Sequence, residues 1–106
     1  MSQHVALFIT VPNEETATTL ARSLVEEHLA ACVNRVPGVR STYFWEGRVC
    51  VDEELLLVVK TRADLFEPLR ARVTELHPYR VPEIIALPIV QGHRDYLDWI
   101  DEVTRR

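Results

Sequence analysis

Residues 32 to 61 read CVNRVPGVRSTYFWEGRVCVDEELLLVVKT, and this stretch decides the fold of the chain. Two long runs of β-branched and aromatic residues flank Glu46 and Gly47, which predicts a β-hairpin with a tight turn at those two residues. Pro37 and Gly38 predict a bend or bulge in the first arm. The cross-strand pairs expected from this turn are Phe44 with Val49, Thr42 with Val51, Arg40 with Glu53, and Val36 with Leu57.

On the N-terminal side of the hairpin, a strand and a helix are predicted. Residues 5 to 12 form a short apolar run that Pro12 closes, as is typical of a buried strand. Asn13 is a good N-cap, and Glu14 and Glu15 fall in the first turn, where the helix dipole favours negative charge. Apolar residues then recur at helical spacing, which predicts an amphipathic helix that reaches about Leu29.

On the C-terminal side, a helix, a strand and a short closing helix are predicted. The first of these opens at Asp64 or at Thr61, although a start at Thr61 would place Pro68 in the helix interior. Residues 81 to 90 (VPEIIALPIV) indicate a buried strand, and residues 93 to 104 (HRDYLDWIDEVT) indicate the closing helix. The order of elements predicts one α+β domain over residues 1–106, a ferredoxin-like βαββαβ sandwich with a C-terminal helix.

The hairpin is expected to be apolar on both faces. Two helices cover only one face of a four-stranded antiparallel sheet, and each arm is longer than the usual strand of about 5–6 residues. A long ribbon with two apolar faces aggregates unless another chain covers it, so the sequence predicts an oligomer. The face opposite the pairs given above is expected to hold Val33, Val39, Tyr43, Trp45, Cys50, Leu56 and Val58.

Composition and charge exclude several classes of partner. The formal net charge is −4, and acidic and basic residues are mixed along the chain, which argues against nucleic acid or an anionic membrane as a partner. No apolar run approaches the roughly 18 residues that span a bilayer. The N-terminus lacks the basic and small-residue pattern of a signal peptide, so we expect a cytoplasmic protein.

No strong catalytic or metal-binding motif is present in the sequence. It contains no C-x-x-C, H-x-x-x-H, glycine-rich phosphate loop or G-x-S-x-G pattern, and we predict that the protein is not an enzyme. Cys32 and Cys50 are interpreted as small, partly buried hydrophobic residues without a disulfide. The acidic run at residues 52–54 is interpreted as a solvated edge.

The connector HPYRVPE, residues 77 to 83, combines rigidity with polar and aromatic side chains. His77 suits the last turn of a helix, Pro78 blocks its continuation, and Pro82 is tolerated as the first residue of a strand. These roles do not explain why His77, Tyr79 and Glu83 are the residue types present. The connector is therefore predicted to be a rigid turn whose side chains also line a ligand site.

The chain resembles the CutA divalent-cation tolerance family. The resemblance rests on five stretches in the expected order, which are LAACVN, PGVRSTYFWEG, ELLLVVKT, HPYRVPEIIALPI and DYLDWI. It implies a ferredoxin-like fold and a homotrimer assembled through the long hairpins. It also implies a role in tolerance of copper and other divalent metals, no catalytic activity, and an architecture similar to that of the trimeric PII signalling proteins.

The resemblance also implies a copper site, which this sequence retains only in part. Copper binding in the family is attributed to a cysteine late in the first strand and to a His-His pair before the connector. Ile9 and Leu76 occupy two of those positions here, so only His77 matches. A weaker site for Cu(II) or another divalent cation is predicted from His77 and Glu83, with ligands supplied within or across subunits.

Two functional hypotheses follow. The first is a trimeric divalent-cation tolerance protein that binds metal ions weakly at subunit clefts lined by the connector. The second is a PII-like trimeric regulator that binds a small anionic ligand or a partner protein. For that second hypothesis, Lys60, Tyr43 and Trp45 are the expected ligand-binding residues.

Overall fold

The computed structural model describes residues 3–105 and contains one antiparallel sheet with three α-helices. The sheet order is β2-β3-β1-β4, so the α+β ferredoxin-like prediction is confirmed. The elements are β1 (His4–Val11), α1 (Glu14–Glu26), β2 (Cys32–Trp45), β3 (Arg48–Arg62), α2 (Phe66–Leu76), β4 (Ile84–Pro88) and α3 (Arg94–Val103), with a 3-10 turn at Ala63–Leu65.

Helix α1 begins as its sequence predicts and ends earlier. The Asn13 side chain accepts a hydrogen bond from the Thr16 N–H at 2.8 Å, which caps the helix. The helix ends at Glu26 rather than near Leu29, because His28 adopts a left-handed backbone conformation with φ of 61°. The N–H groups of Leu29 and Ala30 then both bond to the Leu24 carbonyl and close the helix end.

The hairpin turn is confirmed. The register differs from the prediction in the lower half of the hairpin, by which we mean the half farther from the turn. Glu46 and Gly47 both have positive φ, as a tight two-residue hairpin turn requires. Beyond the turn, Pro37 and Gly38 together oppose the single residue Leu55, which is a β-bulge. The predicted pairing of Val36 with Leu57 is therefore wrong, and Val36 pairs with Leu56.

The bulge exchanges the faces on which two valines lie. A shift of one residue turns every later side chain of the strand to the other face of the sheet. Val33 now pairs with Val59 and packs against the core, although it was expected on the opposite face. Val36 lies on the face that α1 and α2 leave uncovered, which we call the open face.

Helix α2 starts later than either predicted position. Strand β3 continues to Arg62, so Thr61 is a buried strand residue and cannot open a helix. The 3-10 turn at Ala63–Leu65 follows, and the helix begins at Phe66. Pro68 then falls in the first helical turn, where the missing N–H breaks no hydrogen bond.

The hydrophobic core lies between the sheet and helices α1 and α2. Alternate residues of β1 and β3 point into it, as period-2 alternation requires for a sheet with one covered face. Its fully buried members from the two strands and two helices are Leu7, Ile9, Val11, Ala17, Leu20, Leu24, Leu57, Val59, Leu69 and Val73.

Helix α3 covers the lower end of the open face. Imidazole Nε2 of His4 lies 2.9 Å from a carboxylate oxygen of Asp101, and the Arg62 guanidinium donates to the Thr104 side chain and carbonyl. His4 and Arg62 alternate with core residues in their strands and so point to the open face. Within residues 3–105, no helix is long and apolar enough to cross a membrane.

Candidate functional site

A cleft of about 670 Å³ lies between the distal half of the hairpin and the connector that joins α2 to β4. The hairpin supplies one wall, the connector supplies the other, and the end of β1 contributes Thr10. The lining residues are Thr10, Ser41, Thr42, Tyr43, Trp45, Glu54, Pro78, Tyr79, Arg80, Val81 and Glu83.

His77 holds the connector against the sheet. It is 6% exposed, and its Nε2–H donates to the Thr10 carbonyl at 2.8 Å while its Nδ1 accepts from the Tyr79 N–H at 3.1 Å. The last β1–β4 pair is Ile9 with Ile84, so the imidazole supplies a partner for the Thr10 carbonyl one residue beyond that ladder. Both ring nitrogens are therefore engaged in hydrogen bonds.

Glu54 places a buried carboxylate in the cleft. The residue is 7% exposed, and one of its oxygens accepts a hydrogen bond of 2.7 Å from the Tyr79 hydroxyl. Burial, together with this bond to Glu54, raises the pKa of Tyr79 well above its ordinary value. Among the described residues, no Lys, Arg or His side chain forms an ion pair with Glu54.

A second tyrosine–carboxylate pair stands beside the first. The Tyr43 hydroxyl donates to Asp52, which lies two residues before Glu54 and therefore on the same face of β3. This hydrogen bond raises the pKa of Tyr43 to about 12, because it stabilises the protonated phenol. Both phenols are thus held as neutral donors to carboxylates.

Trp45 and Arg80 form the rim of the cleft. The Arg80 guanidinium carbon lies 5.5 Å from the centroid of the Trp45 ring, within the range of a cation–π contact. Arg80 is exposed, and no Asp or Glu within residues 3–105 forms an ion pair with it. Two carboxylates, Glu54 and Glu83, therefore share the cleft with one guanidinium, and a net negative site favours cations.

The structure brings four of the six predicted site residues together. Tyr43, Trp45, Tyr79 and Glu83 line the cleft, whereas His77 is buried behind the connector and is not among the lining residues. Lys60 lies apart from the cleft, where β3 pairs with Cys32 on one side and with Ala6 on the other. Its ammonium group donates to the Asn34 side chain.

Two of the three positions that carry copper ligands in the resemblance hold apolar side chains here. Ile9 is fully buried in the core, and Leu76 is half-buried and packs against it. Within residues 3–105, no group of three or more His, Cys, Asp or Glu side chains is arranged to hold a metal ion. Ile9 and Leu76 therefore offer no side-chain ligand to a metal ion.

Glu54 and Arg80 are the charged cleft residues that the sequence interpretation missed. The interpretation of residues 52–54 as a solvated edge is wrong for Glu54, which is buried, and holds for Asp52 and Glu53, which are exposed. The alternation of β3 was the available signal, because it places Glu54 on the same face as Leu56 and Val58. A carboxylate directly beside the apolar residues of that row indicates a polar partner above the same face of the sheet.

Comparisons with known proteins agree with this fold. Residues 5–103 match the family described as CutA1 divalent ion tolerance protein. A divalent-cation tolerance protein CutA of Thermus thermophilus is 60% identical over 98 residues, which are 92% of this chain and 95% of that protein.

Solved structures of CutA1 proteins superpose closely on this chain. A Cut A1 structure from Thermus thermophilus has a TM-score of 0.94 at 58% identity and covers 96% of this chain and 99% of that one. CutA1 from Oryza sativa has a TM-score of 0.95 at 48% identity and covers 98% of this chain and 95% of that one. The chain therefore belongs to the CutA1 divalent ion tolerance protein family.

Proposed function

We propose that the protein is a homotrimeric, non-catalytic divalent-cation tolerance protein that binds Cu(II) or another divalent cation weakly in the cleft. Glu54 carries this proposal. Its carboxylate is buried, receives a hydrogen bond only from Tyr79 among the described residues, and has no cationic side chain as a partner there. A buried charge without a counter-ion is costly, so a cation that enters the cleft recovers part of that free energy.

The cleft carboxylates are the proposed first ligands. Glu54 lies on the hairpin wall and Glu83 on the connector wall, so a cation between them contacts both sides of the cleft. A site of two carboxylates with water has low affinity for any divalent cation, and among first-row divalent ions it binds Cu(II) most tightly. Weak binding is therefore expected of a single cleft.

Trimer formation is proposed to complete the site. Apolar side chains near the hairpin tip, such as Phe44 at 71% exposure and Val49 at 66% exposure, need a cover that one copy does not provide. The resemblance to trimeric proteins supplies the number of copies. Because the cleft opens between the hairpin and the connector, a neighbouring copy that packs along its edge adds polar groups to the cation.

His77 is proposed to hold the site rather than to bind the metal. For either ring nitrogen to ligate a cation, the imidazole must give up its bond to the Thr10 carbonyl or to the Tyr79 N–H. The prediction of His77 as a ligand therefore requires a rearrangement of the connector. Binding through carboxylates requires none.

The PII-like alternative receives less support from the cleft. A small anionic ligand needs positive charge, and Lys60, which was expected to provide it, lies on another part of the sheet. The cleft instead holds two carboxylates and one guanidinium, which together repel an anion. A regulatory role through a partner protein does not depend on this charge balance.

Calorimetric titration of the purified oligomer with Cu(II) and Zn(II) tests the proposal. We expect the Glu54→Gln variant to lose most of the binding, because the amide keeps the shape and the acceptor for Tyr79 but removes the charge. Glu53→Gln is the matched control, since Glu53 is the adjacent residue and lies on the opposite face of β3, where it pairs with Arg40. Equal affinities for Glu54→Gln and the wild type would refute the cleft as the metal site.

The pH dependence separates the two ligand types. Protons compete with a metal for an imidazole nitrogen at higher pH than for a carboxylate oxygen, so a site built from carboxylates keeps its affinity to lower pH than a site that needs an imidazole. We therefore expect the titration at pH 5.5 to resemble that at pH 7. A loss of binding in that interval, together with a loss in His77→Ala, would assign the metal to His77 instead.

A further inference from the structure

The cleft carries one feature that a metal ion does not use, which is its aromatic surface. Tyr43, Trp45 and Tyr79 all line it, and the Arg80 guanidinium already lies over the Trp45 ring. We propose that the cleft binds a weakly hydrated organic cation, an alkylated ammonium or a guanidinium head group, at the place that Arg80 occupies over Trp45. The proposal shares Glu54 with the divalent-cation proposal and otherwise rests on different residues.

The aromatic side chains favour an organic cation over an inorganic one. The face of an aromatic ring is negative and attracts a cation, most strongly in Trp, and the attraction grows when the site excludes water. Both tyrosine hydroxyls are already donated to carboxylates, that of Tyr43 to Asp52 and that of Tyr79 to Glu54. The two tyrosines therefore offer a ligand only the faces of their rings. An alkylated ammonium contacts such a face with its methyl groups.

Glu54 makes the cleft more negative for such a ligand, from a position six residues along β3 from Arg48, the residue that pairs with Trp45. Its carboxylate is 7% exposed and faces a cleft in which aromatic and aliphatic side chains stand beside hydroxyl-bearing and charged ones. Quaternary ammonium groups give up little hydration free energy when they enter a site of this kind. A hydrated Cu(II) ion gains nothing from the rings and must be held by oxygen or nitrogen ligands.

Arg80 makes the proposal specific, because it is a cation that a ligand has to displace. The residue is exposed and is not ion-paired with any described residue, so solvent accommodates its guanidinium when it leaves the ring. Removal of Arg80 should therefore strengthen binding, since it frees the Trp45 face and removes a like charge. A residue that merely stabilised the fold would not have that effect.

Titration of the purified oligomer with tetramethylammonium and with methylguanidinium tests the inference. Neopentyl alcohol is the matched control, because it resembles tetramethylammonium in shape and carries no charge. We expect both cations to bind and the alcohol to bind at least about tenfold more weakly. Comparable affinities for tetramethylammonium and the alcohol would overturn the proposal, since the site would then be only an apolar cleft.

Four variants sharpen the test. Arg80→Ala should bind both cations several-fold more tightly, and Glu54→Gln should bind them only a few-fold more weakly, because the Glu54 charge acts on the ligand over a distance. The affinity of Trp45→Phe should fall between those of the wild type and Trp45→Leu, because the ring of Phe is a weaker cation acceptor. Light scattering checks the mass of each variant, and if the Trp45 variants change mass, Arg80→Ala and Glu54→Gln decide the outcome. Unchanged or weaker binding by Arg80→Ala would overturn the proposal.

A parallel Cu(II) titration separates this inference from the proposed function. Trp45→Leu should lose the organic cations and keep Cu(II), whereas Glu54→Gln should lose Cu(II) and bind the organic cations only a few-fold more weakly. If no organic cation binds while Cu(II) binding depends on Glu54, this inference fails and the proposed function stands. If the organic cations bind and Cu(II) does not, the proposed function fails and this inference stands.

Discussion

Strand β3 has a distal half near the hairpin turn and a lower half that pairs with β1. Side chains alternate between the two faces in the same way in both halves, but the core covers only the lower half. In the lower half, Leu57 and Val59 point toward α1 and α2 and are fully buried. In the distal half, Val49 and Val51 point to the same side of the strand and are 66% and 56% exposed. The side on which a residue lies is a property of the strand, whereas burial depends on what packs over it.

A charged residue introduced into the distal half of β3 is expected to have the largest effect, which is a loss of assembly. If three copies pack through their hairpins, Val51→Lys places an ammonium group in the interface, where it costs about 3 kcal/mol or more. That loss weakens assembly by roughly a hundredfold or more. Light scattering at micromolar concentration should show a smaller species, and a trimer of unchanged mass and stability would show that Val51 stays outside the interface.

A matched pair of truncations in the same strand tests the comparison directly. Val59→Ala removes two methyl groups from the core and should lower the free energy of unfolding by about 2–3 kcal/mol. Val49→Ala removes the same groups from the exposed half and should leave the folding of one copy unchanged. Urea unfolding at low protein concentration measures both. Equal losses in the two variants would mean that the distal half is as well packed as the core.

Loss of the buried His77 imidazole, which joins the connector to the sheet by hydrogen bonds, is expected to have the next largest effect. His77→Ala leaves the Thr10 carbonyl and the Tyr79 N–H without their partners, which should cost about 2 kcal/mol. His77→Gln is the informative companion, because its amide is able to donate to the Thr10 carbonyl and should recover part of the loss. Thermal unfolding of the three proteins measures this effect. An unchanged melting temperature in His77→Ala would show that the prolines alone fix the connector.

The smallest expected effect is the pH dependence that the two cleft phenols confer. Their pKa values are raised in the folded protein, to about 12 for Tyr43, so folding favours the protonated phenol. The stabilisation is complete below the ordinary tyrosine pKa of about 10 and is lost as the pH rises toward the folded pKa. We therefore expect stability to fall between pH 10 and pH 12, and to fall less steeply in Tyr43→Phe. Tyrosinate absorbance followed beside the unfolding curve measures both quantities.

Much of the fold could be predicted because its signals are local. The hairpin turn at Glu46 and Gly47 needs two residues with positive φ, and Asn13 caps a helix whose first turn is acidic. The order of strands and helices followed from these signals and from hydrophobic periodicity. The start of α2 could not be predicted, because the end of β3 and a short 3-10 turn compete for the same residues.

The candidate site was predicted in part for a related reason. Tyr79 and Glu83 stand out because a connector does not need those residue types, and Tyr43 and Trp45 because they lie on a face that two helices leave uncovered. Glu54 and Arg80 did not stand out, since an acidic residue in a strand and a basic residue in a loop are ordinary on a surface. Only their partners, Tyr79 and Trp45, make them part of a site.

By itself, the sequence of this protein determined the hairpin, the alternation of its arms, the rigid connector and the order of elements, because each depends on residues close together in the chain. The tertiary structure alone decided that the bulge moves Val33 into the core, that Glu54 is buried, and that His77 completes the hydrogen bonds of Thr10. Each of these outcomes joins segments distant in sequence. Backbone preferences act over a few residues, whereas burial and hydrogen-bond partners are set by whichever segment the fold lays alongside.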